Sequence, residues 1–283
     1  MTLAHIASLY FDGKKEMAKK RIQKLKAAGF IGERPRRISS PSVLYLSRNA
    51  FALLQEEAQL AEYPPIEISN LDRRAHVADS KLTHEIEVMD IKTAMVLAIR
   101  ATERYRIAKF STWPAAYHFK ACRADGEIVD MHPDGFLRVE DKESDGRVSE
   151  HTFFLEVDRS TESLNVIADK CHCYVDYYRS GGFAERNGVP ADTYRRYPFR
   201  VLFICKSQQR IDNVAKRLLT NDPPVRHQVC LASFADAIRD PLSAIWTTSA
   251  DYTDVRPGDA ARPTAHLSCS PKMSPFGALG FRA

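Results

Sequence analysis

One helix lies between two strongly apolar strand segments in the second half of the chain, and this order limits the possible folds. Residues 151–158 read as a strand, residues 162–178 have helical periodicity, and residues 201–205 are continuously apolar. A continuous apolar run is typical of a strand that is buried on both faces of a sheet. Parallel strands need a crossover, which is usually a helix. The sequence therefore predicts an α/β (α+β) fold with a mixed central sheet.

Other segments extend this pattern to an α-β-β-β-α-β-α-β order over residues 81–248. A helix with two apolar stripes is predicted over about residues 82–105, and a helix packed on two sides is expected from such stripes. The remaining predicted elements are strands at 116–123, 133–140 and 228–233, and a helix at 211–219. We expect helices to cover the mixed sheet on both sides.

The basic residues are concentrated at the N-terminal end of the chain. Residues 1–48 hold eleven Lys and Arg against three Asp and Glu, a balance of +8, whereas the other 235 residues have a balance of −3. A concentrated positive end favours a polyanion partner, most often nucleic acid. A solvated lysine-rich helix with no such partner would give the same charge pattern.

The elements of residues 1–60 predict a small helical domain with a hairpin. A short helix at residues 3–9 precedes a basic helix at 15–29, which Gly29 would end, and Ser47 would begin a further helix after a strand at 43–46. This order resembles a winged helix-turn-helix domain, although the helix that usually comes first has no counterpart here. The resemblance implies binding of double-stranded DNA by the basic helix and the wing. The alternative is a domain for protein contacts or dimerisation. The predicted DNA contacts are Lys15, Lys19, Lys20, Lys24, Lys26, Arg34, Arg36 and Arg37.

Two further segments lack periodic patterning. Residues 61–80 contain Pro64-Pro65 and are interpreted as a linker. Residues 249–283 are rich in Pro, Ser, Ala and Gly and are expected to form a disordered tail.

Three acidic residues could converge at one end of the predicted sheet. Glu156 and Asp158 share one face of an apolar strand, and Asp134 stands at the start of the preceding strand. Buried carboxylates are unfavourable unless they are paired or bind a cation. The pattern predicts an Mg²⁺ or Mn²⁺ site made by Asp134, Glu156 and Asp158. Alternatively, the acids are structural and pair with Arg159 and Lys170, while Asp134 and Gly135 form a turn.

The helix order and the acid spacing resemble the PD-(D/E)xK nuclease-like superfamily, whose restriction-endonuclease-like fold would then extend over residues 81–248. The resemblance implies that Asp134 and Glu156 hold the metal and that a lysine assists the attacking water. Asp158 stands where that lysine is usual. Lys170 on the following helix could replace it, as could Lys120, or Lys170 could be a surface lysine or a partner of Asp158. His84 is a further candidate, either as a proton shuttle or as an ordinary helix histidine.

The whole chain is similar to the replication-relaxation family of plasmids and integrative elements. The matching segments are residues 21–31, 82–90, 132–137, 153–164, 170–178, 201–211 and 240–246. The resemblance implies a winged helix followed by a nuclease-like domain, and a role in replication, relaxation or mobilisation of a mobile element. A relaxase or replication initiator would be a partner, and the chain could be a homodimer.

Several other classes of site are not favoured. Cys171-His172-Cys173 lacks a second metal-binding pair, so zinc is not expected. No glycine-rich phosphate loop is present, so no nucleotide cofactor is expected, and Gly181-Gly182 is interpreted as a loop break. The tyrosines of the 162–178 helix could supply a nucleophile, but their spacing favours packing. No long apolar run or basic leader appears, which predicts a cytoplasmic protein without membrane contact.

The sequence thus leaves two hypotheses. The first is a mobile-element protein that binds DNA and nicks it with a divalent cation. The second is a non-enzymatic transcriptional regulator, whose second domain is a degenerate nuclease fold that dimerises or recruits a relaxase.

Overall fold

The computed structural model describes residues 1–34, 41–60, 77–112, 117–252 and 275. The chain divides into two compact units, Met1–Leu97 and Ala98–Ala283. The helix predicted to open the second domain spans this division. In the described part of the chain no helix has the length and apolar character needed to cross a membrane.

In its described residues, the first unit contains four helices and one antiparallel strand pair. Its elements are α1 (Leu3–Tyr10), α2 (Lys15–Ala27), β1 (Ile31–Glu33), β2 (Leu44–Leu46), α3 (Arg48–Glu56) and α4 (Asp79–Arg100), the last of which runs into the second unit. The predicted ends are confirmed at two positions. Gly29 has φ +73° just after α2, and the Ser47 side chain accepts a hydrogen bond from the Ala50 N–H at the start of α3.

Two polar contacts tie α4 to the rest of this unit. Arg34 Nη2 lies 2.9 Å from Asp79 Oδ1 at the beginning of α4, and His5 Nε2 lies 2.6 Å from Asp90 Oδ1. His5 Nδ1 accepts the Thr2 N–H, so His5 Nε2 carries the proton that it donates to Asp90. These contacts give a physical reason why most of α4 belongs with the first unit.

The second unit contains a six-stranded sheet and a separate hairpin in its described residues, and the mixed character of the sheet agrees with the sequence prediction. Its strands are β3 (Tyr105–Thr112), β4 (Phe119–Cys122), β5 (Ile128–Met131), β6 (Gly135–Lys142), β7 (Val148–Asp158), β8 (Arg200–Cys205), β9 (Val229–Ser233) and β10 (Thr247–Thr248). The sheet order is β10-β9-β8-β7-β6-β3, and β4 pairs with β5 in the hairpin. β7, β8 and β9 are parallel, whereas the other pairs are antiparallel.

The helices of this unit lie between and after the strands. They are α5 (Leu164–Arg179), α6 (Gly182–Arg186), α7 (Gln208–Leu219) and α8 (Phe234–Arg239), with 3-10 helices at Ala191–Arg196 and Ser249–Tyr252. Helix α5 makes the predicted crossover from β7 to β8. Ser249 and Tyr252 are buried, so the expected disorder does not begin at residue 249.

The core of the second unit places α5 against one face of β7. Phe154 of β7 packs against Tyr174 of α5, with ring centroids 5.3 Å apart, and both residues are fully buried. Side chains alternate along a strand, so Glu156 shares this face with Phe154. The sheet therefore directs a carboxylate toward the same helix that its aromatic core packs against.

Candidate functional site

The candidate site begins where β6 and β7 lie side by side. Gly135 pairs with Leu155 in the antiparallel register, which brings Asp134 next to the end of β7. Asp134 Oδ2 accepts a hydrogen bond from the Val157 N–H at 2.8 Å. The two strands are therefore neighbours, a condition on which the predicted convergence of the acids depended, and Asp134 is fixed to the backbone beside Glu156.

Glu156 is 3% exposed, and two side chains of α5 donate hydrogen bonds to its carboxylate. Tyr174 Oη donates to Glu156 Oε1 at 2.5 Å, and Lys170 Nζ lies 3.3 Å from Glu156 Oε2. Residues four apart on a helix share one face, so α5 can direct Lys170 and Tyr174 to the same carboxylate. Ser163 begins this helix by accepting a hydrogen bond from the Val166 N–H.

The charges of this cluster are strongly coupled. The pKa of Glu156 is raised to about 7, mainly because of burial; Lys170 and the Tyr174 hydrogen bond oppose the rise, and the charge of Asp134 adds to it. The Glu156 carboxylate raises the pKa of Lys170, which also lies 3.3 Å from Glu162 Oε2. Lys170 is therefore an ammonium that faces acidic oxygens, rather than a surface lysine or a partner of Asp158.

The sequence predicted that Asp158 would join this cluster, but its carboxylate pairs with Arg210 instead. Arg210 of α7 holds its carboxylate, with Nε 2.7 Å from Oδ2 and Nη2 3.3 Å from Oδ1. The Ser160 N–H also donates to Asp158 Oδ1. A bidentate guanidinium pairing occupies the oxygens that a cation would need. The physical reason is that α7 lies beside the end of β7, where the Arg210 side chain supplies a positive charge.

The predicted three-carboxylate geometry is therefore corrected to a pair of carboxylates. Within the described ranges, no group of three or more His, Cys, Asp or Glu side chains is arranged to hold a metal ion. Asp134 and Glu156 still offer hard oxygen donors close together. Mg²⁺ commonly binds one or two carboxylates and completes its shell with water and substrate phosphate oxygens. A cation held by these two carboxylates would therefore need further ligands from water or a phosphate substrate.

The other predicted catalytic residues lie elsewhere. His84 is half-buried on α4 in the first unit. Lys120 is exposed on β4, so Lys170 is the lysine that reaches Glu156. Cys171 and Cys173 are buried in the core as free thiols.

The predicted DNA-contacting residues fall into three groups. Lys15, Lys19, Lys20 and Lys24 are exposed on α2, and none forms an ion pair with a residue that the structure describes. Lys26 pairs with Glu33, and Arg34 pairs with Asp79. These two side chains therefore stabilise the unit itself. Arg36 and Arg37 lie outside the described residues.

Two site residues have roles that sequence reasoning did not assign. The sequence favours a packing role for Tyr174, with a nucleophile as the alternative, whereas its hydroxyl donates to Glu156. The four-residue spacing between Lys170 and Tyr174 places both on one face of the helix and could have indicated this role. Arg210 lies 52 residues after Asp158, and no local pattern connects them.

These features define a class of protein: a helical unit with a basic exposed helix, joined to an α/β unit that holds two acids and a lysine at a strand end. The sequence profile of the replication-relaxation family matches residues 1–193, and the chain belongs to that family. This membership indicates a role in the replication or relaxation of plasmids or mobile elements. No curated protein and no solved structure matches the chain.

Proposed function

We propose that the chain binds double-stranded DNA of a mobile element through its first unit and nicks DNA at the acid–lysine cluster of its second unit. The cluster is Asp134, Glu156 and Lys170. Family membership supports a role in a mobile element, and the geometry of the cluster supports cleavage of DNA.

The first unit supports a winged-helix mode of DNA binding. Helices α1 and α2 follow one another across a short turn, and the β1–β2 pair and α3 come next. In this proposal α2 enters the major groove and its exposed lysines contact phosphates, while the β1–β2 hairpin acts as the wing. Phosphate contacts would give an affinity that falls steeply with salt. The contacts are Lys15, Lys19, Lys20 and Lys24, with Arg36 and Arg37 proposed from the sequence.

The second unit supports hydrolysis of a phosphodiester bond. Asp134 and Glu156 would hold one Mg²⁺ or Mn²⁺, which when bound would stabilise charge on the phosphate and make water more acidic. Tyr174 fixes one oxygen of Glu156 and leaves the other directed toward Lys170. The Lys170 ammonium would orient the attacking water and offset the negative charge of the phosphate. Water adds across the bond, and one strand is opened.

The observation that carries this proposal is the 3.3 Å separation between Lys170 Nζ and Glu156 Oε2. Supercoiled plasmid would be incubated with the protein and Mg²⁺ or Mn²⁺, and the open circular form would be measured over time. We expect wild-type protein to nick the plasmid, and D134N, E156Q and K170M each to reduce the rate by about a hundredfold or more.

Matched variants control for charge and folding. E150Q changes an exposed glutamate on the same strand, and K120M changes the exposed lysine that the sequence offered as an alternative. Both should nick as wild type does. Nicking that survives E156Q and K170M would come from a contaminant or another site and would contradict the proposal.

One observation favours the second candidate, a non-enzymatic regulator. Arg210 holds Asp158, so only two acids remain in the cluster. In this alternative the second unit dimerises or recruits a relaxase or replication initiator. DNA binding without nicking, unchanged by D134N and E156Q, would support the regulator. A change of oligomeric state on dilution, measured by analytical ultracentrifugation, would support dimerisation.

A further inference from the structure

A basic and aromatic surface lies beyond the carboxyl-terminal end of α5, away from the residues used above. It is formed by the end of α5 and the 3-10 helix Ala191–Arg196, with helix α6 between them in the chain. We call it the tyrosine–arginine surface. Its residues are Tyr178, Arg179, Tyr194, Arg195 and Arg196.

The segments of this surface are packed closely because of two glycines. Gly181 has φ +81°, and a Cβ atom there would overlap the backbone of Ala191. A Cβ atom at Gly182 would lie 2.6 Å from the Tyr177 ring. The Gly181-Gly182 pair therefore allows the 3-10 helix to contact the end of α5 directly. The result is a defined platform rather than a loose loop.

Two tyrosines and one arginine of the surface contact one another. The rings of Tyr178 and Tyr194 meet edge to face, with centroids 5.1 Å apart. The Arg195 guanidinium lies 5.7 Å from the Tyr194 centroid, and its Nε donates to Tyr194 Oη at 3.3 Å. Both tyrosines are half-buried, so part of each ring faces solvent.

The net charge of the surface is positive. Arg179, Arg195 and Arg196 are all exposed, and none pairs with an acidic residue within the described part of the chain. The neighbouring exposed acids are Glu185 and Asp192, so positive charges exceed negative ones. Double-stranded DNA would contact this surface only through its phosphates, because its bases are stacked on each other. Partly exposed aromatic rings beside arginines are the combination that binds unpaired bases together with their phosphates.

From these contacts we infer that the tyrosine–arginine surface binds single-stranded DNA. The inference rests on the proposed function only for the choice of DNA as the nucleic acid, and it requires no cleavage. Tyr194, Arg195 and Arg196 lie beyond the residues that the family profile matches. The family match therefore does not cover these three residues of the surface.

The test measures fluorescence anisotropy of a labelled oligo-dT and of a labelled duplex with the full chain over a range of salt concentrations. The double variant R195Q/R196Q should weaken oligo-dT binding by about tenfold and reduce the salt slope by about 1.4, since each phosphate contact on a single strand contributes about 0.7. Duplex binding should change less than twofold, roughly, because the α2 lysines are intact.

Two further variants separate charge from stacking. R123Q/R147Q removes the same charge from exposed, ion-paired arginines elsewhere in the unit and should bind oligo-dT as wild type does. Y194A should lower oligo-dT affinity by about tenfold, and Y194F should restore it, because base stacking needs only the ring.

The outcomes are distinct from those of the nicking assay. Unchanged oligo-dT binding in R195Q/R196Q would overturn the inference, as would a loss equal to that of R123Q/R147Q. Equal losses for oligo-dT and duplex, with no effect of Y194A, would also overturn it and would indicate a general phosphate contact. A selective loss of oligo-dT binding supports it even if the protein never nicks DNA.

Discussion

At the residue scale, the site depends on how one buried carboxylate is satisfied. Glu156 accepts a hydrogen bond from Tyr174 and faces the ammonium of Lys170, and both donors come from a single turn of α5. Charged hydrogen bonds of this kind are stronger than those between neutral groups. Tyr174 therefore positions Glu156 and does not act as an exposed nucleophile.

We expect Y174F to lower the free energy of unfolding by about 1–3 kcal/mol, because a buried carboxylate oxygen loses its donor. The matched control is Y177F on the same helix, which removes a bond between two neutral hydroxyls, Tyr177 Oη and Tyr117 Oη at 2.7 Å. Urea denaturation followed by circular dichroism measures both. A loss in Y174F no larger than that in Y177F would contradict the positioning role.

A second residue-scale contact makes stability depend on pH. The Arg104 hydrogen bond holds the pKa of Asp141 below its ordinary value of 3.8, and His151 acts in the same direction. A depressed pKa stabilises the folded state above the unfolded value, and that stability is lost as pH falls through the folded pKa.

We expect D141N to be less stable than wild type by about 1–3 kcal/mol at pH 6, and the difference to shrink below pH 3.8. The measurement is urea denaturation between pH 3 and pH 6. E140Q is the control, because Glu140 pairs with Arg106 at a more exposed position of the same strand and should change stability by about 1 kcal/mol or less. A D141N difference that does not vary with pH would contradict this account.

At the element scale, the crossover through α5 determines the site. The helix runs back along β7 and so places Lys170 over Glu156. The sequence predicted this much, because residues 162–178 have clear helical periodicity between two apolar strands. It did not predict β3, in which charged residues interrupt the apolar pattern of an edge strand. Nor did it predict the ion pair between Arg210 and Asp158, because the two residues are 52 positions apart and no local sequence pattern connects them.

The packing at the end of α5 gives an element-scale prediction. We expect G181A to lower the free energy of unfolding by more than about 2 kcal/mol, since it combines an unfavourable φ with overlap against Ala191. Gly188 has φ +78° with open space around its Cβ position, so G188A should lower stability by only about 1 kcal/mol. Thermal and urea unfolding compare the two. Equal losses would show that close packing against the 3-10 helix is unimportant.

At the scale of the whole molecule, we propose that the two units have separate functions. The first unit presents exposed lysines on α2, and the second contains the acid–lysine cluster and the tyrosine–arginine surface. The concentration of basic residues at one end of the sequence predicted where the duplex would bind. It could not show which basic residues are already used within the fold, and Lys26 and Arg34 prove to be paired with Glu33 and Asp79.

The central claim is that Asp134 and Glu156 together hold one divalent cation beside Lys170. Isothermal titration of the full chain with Mn²⁺ tests it without any requirement for DNA cleavage. The account predicts one Mn²⁺ per chain, an affinity lowered about tenfold or more in D134N and E156Q, and an almost unchanged affinity in D158N, because Arg210 holds Asp158 away from the cation. Mn²⁺ binding that is unaffected by D134N and E156Q, or that is lost only in D158N, would contradict it.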